Sequence, residues 1–340
     1  MAERATPAAM APEAAAPEAA APEGAIRRRV SVIIPARDEG AAMGALVRAV
    51  LAQQRESGAE VEVIVVDDGS RDDTGARAAA AAGARVLRLA SGPGGGNPAA
   101  ARNRGAAIAT GDPLVFLDAD CRPAEGWLAA LLAAHDAGAV AVGGALELPA
   151  GLSVSARCDY YCGWYHVHAR RPAGPVVSHP PGNLSVRRAA FRSTAGFTEQ
   201  QPIAYAHEEL AWQAALQRAG HHIQFEPRAV VYHHNRPGFG NLLRRNYRWA
   251  YSAIESKATS GAARWAGIYR HPRLLVAASA PLGVAQAFYI TWCWVRARSW
   301  EPVLLFPAIL AARCAYAVGM AAGGVRWIRG GAVDRRPRWE

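Results

Sequence analysis

Leu114-Val115-Phe116-Leu117-Asp118-Ala119-Asp120 is the stretch from which the fold of this chain can be worked out. Its four consecutive apolar residues predict a short buried strand, and two carboxylates follow one residue apart. Close like charges repel, and removing them from water is costly. A divalent cation such as Mg²⁺ or Mn²⁺ would offset both costs and could in turn bind a diphosphate. A solvated Asp turn explains the same residues, so this motif alone leaves two interpretations open.

The composition is strongly basic. The 340 residues carry 38 Lys and Arg against 28 Asp and Glu, a net charge of +10, and Lys257 is the only lysine. Such a charge suits nucleic acid, anionic lipid or a phosphorylated substrate. No nucleic-acid-binding motif accompanies it, so no nucleic-acid partner is expected. The five cysteines lack the spacing of a disulfide framework, which favours a reducing compartment.

The first part of the chain has a different character from the rest. Residues 1–28 are mostly Ala, Pro and Glu, and the unit Ala-Pro-Glu recurs in them. Such a composition cannot build a core, and it lacks the apolar segment of a signal peptide. We therefore expect a disordered tail.

From Val30 onward, short apolar runs alternate with segments of helical periodicity. The predicted strands are Val30–Ile34, Val61–Val66, Arg85–Leu89 and Leu114–Leu117. This alternation predicts an α/β protein with a doubly wound, mainly parallel, Rossmann-like sheet, whose ligands bind at the carboxyl ends of the strands. The polar residues that follow those strands are Arg37, Glu39, Asp67, Asp68, Asp118 and Asp120.

Five short motifs occur in a fixed order. They are Pro35-Ala36-Arg37-Asp38-Glu39, Val66-Asp67-Asp68-Gly69-Ser70, Ala101-Arg102-Asn103-Arg104-Gly105, Phe116-Leu117-Asp118-Ala119-Asp120 and Gly182-Asn183-Leu184-Ser185. Any one of them is a weak signal, but the set, at these spacings, resembles the family 2 glycosyltransferases, which have the GT-A fold. The resemblance covers about residues 29–235 and implies a catalytic domain over residues 29–255.

The resemblance also implies where a nucleotide-diphosphate sugar would bind, with a UDP-linked donor expected. The implied donor-binding residues are Pro35, Ala36, Arg37, Glu39, Asp67, Asp68, Arg102, Asp118, Ala119 and Asn183. Asp68 or Asp67 would accept a hydrogen bond from the base, although a turn with a helix N-cap explains this pair too. Mg²⁺ or Mn²⁺ would bind Asp120, supported by Asp118. Arg102 would contact base or phosphate unless it is an ordinary surface arginine.

His207-Glu208-Glu209-Leu210 opens a helix that ends near Gly220. The family carries Glu-Asp here, with a Gly at the thirteenth position counted from that Glu. Gly220 fits this count from Glu208, so Glu209 takes the place of the Asp that acts as general base in an inverting transfer. Because Glu replaces Asp, Glu208 remains the alternative base. Acidic residues are also favoured in the first turn of any helix.

Two further motifs follow. Val230-Val231-Tyr232-His233-His234 predicts a strand that ends in two histidines, and the resemblance implies that His233 or His234 completes the metal site or binds diphosphate. Arg245, Arg248 and Trp249 match half of the Gln-x-x-Arg-Trp acceptor motif of processive relatives, with Arg where Gln is expected. An Arg-rich helix beside a membrane is the simpler interpretation.

Residues 256–340 are expected to associate with a membrane. Two apolar runs, 274–295 and 302–323, are long enough to span the hydrocarbon core as a hairpin. Arginines on both flanks favour the cell membrane with the catalytic domain on its cytoplasmic side. A buried helical pair that packs on the catalytic domain is the alternative.

The sequence therefore predicts a metal-dependent, inverting glycosyltransferase that acts on a hydroxyl acceptor, either lipid-linked or a cell-envelope glycan. A nucleotidyltransferase would need a Gly-rich segment with Lys or Arg directly after the first strand, and residues 35–39 lack it. A catalytically silent, nucleotide-binding membrane scaffold stays open because Glu-Glu replaces Glu-Asp.

Overall fold

The computed structural model describes residues 28–81, 83–89, 96–199, 207–260 and 266–329. The predicted disordered tail lies outside this part of the chain, apart from Arg28. The strands are β1 Arg29–Ala36, β2 Glu60–Asp67, β3 Ala84–Arg88, β4 Leu114–Leu117, β5 Cys121–Pro123, β6 Ala141–Glu147, β7 Gly174–Val176, β8 Asn183–Val186 and β9 Ile223–His233.

These strands form one mixed sheet in the order β3-β2-β1-β4-β8-β6-β9-β5, with β7 added beside β9. The first four are parallel neighbours, as the alternating pattern predicted. Strand β8 is antiparallel to both β4 and β6, whereas β9 runs parallel to β6. The predicted α/β fold with a mainly parallel sheet is therefore confirmed, and the later strands add the antiparallel part.

Helices cover both faces of the sheet. They are α1 Gly40–Ser57, α2 Thr74–Ala80, α3 Pro98–Ile108, α4 Trp127–Asp136, α5 Val154–Trp164, α6 Arg188–Arg192 and α7 Leu210–Arg218. Successive side chains of a strand point to opposite faces. Val32 accordingly packs in the same core as Met43 of α1 and Leu128 of α4, whereas Ile33 packs with Ala101 of α3 and Trp212 of α7.

The chain ends in a helical layer beside this domain. Its members are α8 Phe239–Ser260, α9 Ala266–Tyr269, α10 Pro272–Arg296, α11 Glu301–Leu304 and α12 Phe306–Ile328. Helix α8 runs through residue 255, where the sequence placed the end of the catalytic domain. Helix α12 packs along α8 so closely that a Cβ on Gly319 would lie 2.2 Å from the Tyr247 carbonyl oxygen.

Helices α10 and α12 are long and apolar enough to cross a membrane by length and composition. The second of them begins at Phe306 rather than at 302, because the short α11 precedes it. Half of the apolar window of α12 is buried against the rest of the protein, compared with 22% for α10. The exposed large apolar side chains of this layer include Leu274, Val284, Phe288, Trp292, Trp300, Leu304 and Val318.

Candidate active site

The polar residues picked out by the sequence converge on one edge of the sheet. Asp118 and Asp120 follow β4, and Asn183 begins the antiparallel β8 directly opposite Leu117. His233 ends β9 opposite Cys121. Because carboxyl ends of parallel strands meet the start of an antiparallel neighbour at the same edge, these separate segments share one rim.

Arg102 of α3 is the residue that joins the two acidic motifs. Its Nη2 donates to Asp118 Oδ1 over 2.6 Å, and its Nη1 donates to Glu208 over 2.5 Å. Arg102 is only 4% exposed, so this is a buried charge network and the guanidinium is not a surface group. Gly182 leaves room for the Asp118 carboxylate, since a Cβ at position 182 would lie 2.6 Å from Asp118 Oδ2.

Glu208 and Glu209 are both buried but differ in their surroundings. Glu208 is held by Arg102, whereas Glu209 takes part in no ion pair within the part of the chain that the structure describes. Burial, reinforced by the neighbouring Glu208 charge, raises the pKa of Glu209 to about 8. A carboxyl group that exchanges its proton near neutral pH is suited to general acid–base chemistry.

A group of potential metal ligands lies next to this network. One ligand atom each from Asp120, Cys121 and His233 falls within 4.8 Å of the others. His233 Nε2 lies 3.6 Å from Asp120 Oδ1, too far for a hydrogen bond but suitable for a shared cation. Carboxylate and imidazole are donors for Mn²⁺, and a thiol suits softer metals. The residues present therefore fit a divalent cation whose other ligands come from the substrate.

The ring of His233 is held in one orientation by a buried chain of hydrogen bonds. Asn235 Nδ2 donates to Asp159 over 2.7 Å, which turns the Asn235 oxygen toward His233 Nδ1 at 3.0 Å. Nδ1 must then carry the proton, so Nε2 presents its lone pair toward Asp120. Arg245 of α8 in turn pairs with Asp159 and lies over the Trp249 ring, 4.4 Å from its centroid.

Sequence reasoning missed Asp159 and Asn235. Asn235 lies two residues after His233, and this closeness in sequence could have suggested a hydrogen bond to the histidine ring. Asp159 lies in the middle of α5 with no motif around it, so only the folded chain reveals it. Arg245, considered as part of an acceptor motif, is committed to this chain of hydrogen bonds.

Asp67 and Asp68, the acidic pair after β2, have different roles. Asp67 is 1% exposed and accepts a hydrogen bond from the Ser70 backbone over 2.9 Å, so it stabilises the turn. Asp68 lies against Gly96, where a Cβ would come within 2.4 Å of its carboxylate. Burial raises the pKa of Asp68, and the nearby Arg37 lowers it. The structure thus brings Asp68 and Arg37 together at the predicted nucleotide end of the rim.

The remaining predicted donor residues differ in what their side chains do. Glu39 binds Arg236 over 3.0 Å, and burial raises the pKa of its carboxyl group. Pro35 and Ala36 form the end of β1, and Ala119 lies between Asp118 and Asp120. Asn183 is 0% exposed, and its amide bonds Trp127 and the backbone of two strands. Its side chain therefore braces the rim from behind and does not face the cleft.

Comparison with known proteins identifies the part of the chain that carries the Asp118 and Asp120 side of this rim. Residues 31–191 match the model of the family described as Glycosyl transferase family 2. This part of the chain is a family 2 glycosyltransferase domain. It includes the strands β1 to β8 and the acidic residues that follow β2 and β4.

Two named relatives share this domain. Pre-mycofactocin glycosyltransferase of Mycobacterium tuberculosis is 29% identical over 246 residues, which are 68% of this chain and 48% of that protein. Glycosyltransferase AglE of Haloferax volcanii is 29% identical over 233 residues, 66% of this chain and 73% of that protein. The chain thus spans about half the length of the first relative.

A solved structure shows the same fold beyond the glycosyltransferase domain. The mannosyltransferase PcManGT of Pyrobaculum calidifontis, determined with GDP-Man and Mn²⁺, aligns with a TM-score of 0.58 at 20% identity. The alignment covers 91% of this chain and 89% of that one, so the C-terminal helices are part of the shared architecture. The GT-A fold expected from the motifs is confirmed.

Proposed function

We propose that this protein is an inverting glycosyltransferase that moves a sugar from a nucleotide-diphosphate sugar to a hydroxyl acceptor. One observation carries the proposal. Arg102 binds both Asp118, beside the metal-ligand group, and Glu208, beside Glu209. The carboxylates that would hold the cation for the diphosphate and the carboxylate that would activate the acceptor therefore share a single cleft.

The donor half of the reaction rests on the rim at β4 and β9. Asp120 and His233 would hold Mg²⁺ or Mn²⁺, with Asp118 on the same side, and the imidazole favours Mn²⁺. When bound, such a cation offsets the charge that builds on a departing diphosphate. At the other end of the rim, Asp68 would accept an N–H from the base, which we propose to be uracil, and Arg37 beside it would bind phosphate.

The acceptor half rests on Glu209. An inverting transfer needs a base on the side of the sugar opposite the leaving group. Glu209 would take the proton of the acceptor hydroxyl as its oxygen bonds to the anomeric carbon and the bond to the diphosphate breaks. Glu208, held by Arg102, fixes the start of α7 so that Glu209 keeps its position.

We further propose that the protein acts at the cell membrane with its catalytic domain on the cytoplasmic side. The exposed apolar side chains of α10 and α12 form a surface suited to lipid. Arginines such as Arg273 and Arg329 lie at the ends of these helices, where anionic lipid head groups would meet them. A lipid-linked or cell-envelope acceptor would reach the cleft from that surface.

Donor turnover by the purified full chain in neutral detergent tests this proposal. We would supply Mn²⁺ and a panel of UDP- and GDP-sugars and measure release of the nucleotide diphosphate. Glu209→Gln should lower transfer by about 10²- to 10⁴-fold, because a positioned base contributes that much. Asp120→Asn should lower turnover and Mn²⁺ affinity together.

Glu226→Gln serves as the matched control, since Glu226 pairs with Arg228 and lies seven residues before His233 on β9. It should behave as the unaltered protein. Near-normal turnover in both Glu209→Gln and Asp120→Asn would refute the mechanism. A complete lack of turnover with every donor would favour the silent scaffold.

A further inference from the structure

Arg313 is an unusual residue for an apolar helix. It lies in α12, is only 4% exposed, and its Nε has no hydrogen-bond partner among the described residues. None of the ion pairs found in the described part of the chain includes it. Its guanidinium instead lies 3.7 Å from the centre of the Tyr316 ring. A buried cation without an anion is costly unless a ligand supplies the missing charge.

The only lysine of the chain belongs to the same group. Lys257 of α8 lies 5.1 Å from the centre of the Tyr269 ring and 3.5 Å from its hydroxyl oxygen, with no carboxylate bound to it among the described ion pairs. Burial raises the pKa of Tyr165, and Arg313 and Lys257 both lower it. Tyr316 and Tyr269, the rings that Arg313 and Lys257 contact, pack in one cluster, so two cations from different helices lie around the same tyrosines.

Helix α8 brings Lys257 toward the proposed base. Lys257 is among the charges that lower the pKa of Glu209 against the effects of burial and Glu208. Helix α8, which carries Lys257, packs on α7, whose N-terminal end is Glu209. An acceptor held by Lys257 would thus have its reacting hydroxyl beside the carboxylate that must deprotonate it.

The same group of tyrosines extends to the apolar surface. The Tyr165 and Tyr289 rings meet edge to face at 5.9 Å, and Tyr289 in turn contacts Trp292. Tyr289 and Trp292 are 42% and 51% exposed on α10. A molecule with an anionic group between the cations could therefore lay an apolar tail along this aromatic path.

We propose that Arg313 and Lys257 bind the phosphate of the acceptor, which places a neighbouring hydroxyl at Glu209. Two cations with phenol hydroxyls around them suit a phosphate, which accepts several charge-assisted hydrogen bonds. The inference rests on the proposed function, because it names the acceptor class of the same cleft: a phosphorylated compound, either lipid-linked or soluble.

Direct binding tests the proposal without any turnover. Dodecyl phosphate would be titrated into the full chain in dodecyl maltoside, a neutral amphiphile, and binding followed by ³¹P NMR line broadening. Arg313→Gln and Lys257→Gln should each weaken binding by about 10- to 100-fold, as expected for loss of a charge-assisted contact. Arg192→Gln, which removes an exposed arginine of α6, should leave binding unchanged.

A parallel titration with glycerol 3-phosphate distinguishes a lipid-linked phosphorylated acceptor from a soluble one. Tighter binding of dodecyl phosphate identifies a lipid-linked acceptor, and equal binding identifies a soluble one; both support the phosphate site. Binding that is insensitive to both Arg313→Gln and Lys257→Gln overturns it.

Thermal unfolding separates ligand binding from a structural role. Arg313→Met should keep or raise the melting temperature while losing dodecyl phosphate, because it removes a buried charge that lacks a partner. A lowered melting temperature with retained binding overturns the proposal. Donor turnover without Arg313-dependent binding would refute this inference alone, whereas Arg313-dependent binding without any donor turnover would refute the proposed function alone.

Discussion

Replacing Arg102 with Met offers a sharp test of how the site is assembled. The substitution keeps an apolar stem but leaves Asp118 and Glu208 without their shared cation. The side chain of Glu208 is 9% exposed, so its charge would remain buried and unpaired, whereas that of Asp118 is 31% exposed and would be partly screened by water. Breaking a buried ion pair typically costs about 3–5 kcal/mol, and the partial exposure of Asp118 argues for the lower part of that range.

At roughly 2 °C per kcal/mol in a chain of this size, Arg102→Met should lower the melting temperature by about 6 °C. The measurement is thermal unfolding of the full chain in detergent, followed by tryptophan fluorescence. Adding Glu208→Gln should restore much of this loss, because the buried carboxylate is then neutral. Arg104→Met, two residues along α3 and exposed, should have little effect. If the double variant is no more stable than Arg102→Met, the charge network is not what Arg102 contributes.

Three further predictions follow from the site and its supports. Because the pKa of Glu209 is raised to about 8, the rate of transfer should increase as the pH rises through that value. The free energy of unfolding should fall as the pH rises from about 5 to 8, because the folded protein holds this proton more tightly than the unfolded chain does. A rate that does not change between about pH 6.5 and 8.5 would contradict the assignment. Asn235→Leu should weaken Mn²⁺ binding by about 10- to 100-fold in an EPR titration, since His233 loses the group that fixes its ring, and unchanged affinity would show that the ring needs no such support. Gly319→Val should free α12 from α8 and speed hydrogen exchange in both helices, whereas Gly240→Val, with no atom within 4 Å of its Cβ, should not; equal exchange in the two variants would refute the close packing.

The fold could be predicted from the sequence because its signals are local. Runs such as Leu114–Leu117 are apolar throughout, and a fully buried strand demands that pattern. The short β5 and β7 carry no comparable signal, since strands of three residues depend on their neighbours for stability.

The site was predictable where motifs mark it and not where long-range contacts build it. Asp118, Asp120, Glu208 and Glu209 stand out by type and spacing. The partners of Arg102 lie 16 and 106 residues away in sequence, and no local pattern reveals such pairs. The donor contact that a family motif suggested for Asn183 stays a prediction, and the structure adds that its side-chain amide bonds Trp127 and the backbone of two strands.

The packing of α8 against α12 has a practical consequence for anyone shortening this protein. Ala250 and Ile254 of α8 share a core with Leu275, Tyr316 and Met320. Ending the chain near residue 260 would uncover that core and also loosen the helix whose Arg245 anchors Asp159. Such a fragment would be expected to aggregate or to bind the proposed cation more weakly. A water-soluble version is therefore better sought by replacing the outward-facing Phe288 and Trp292 than by deletion.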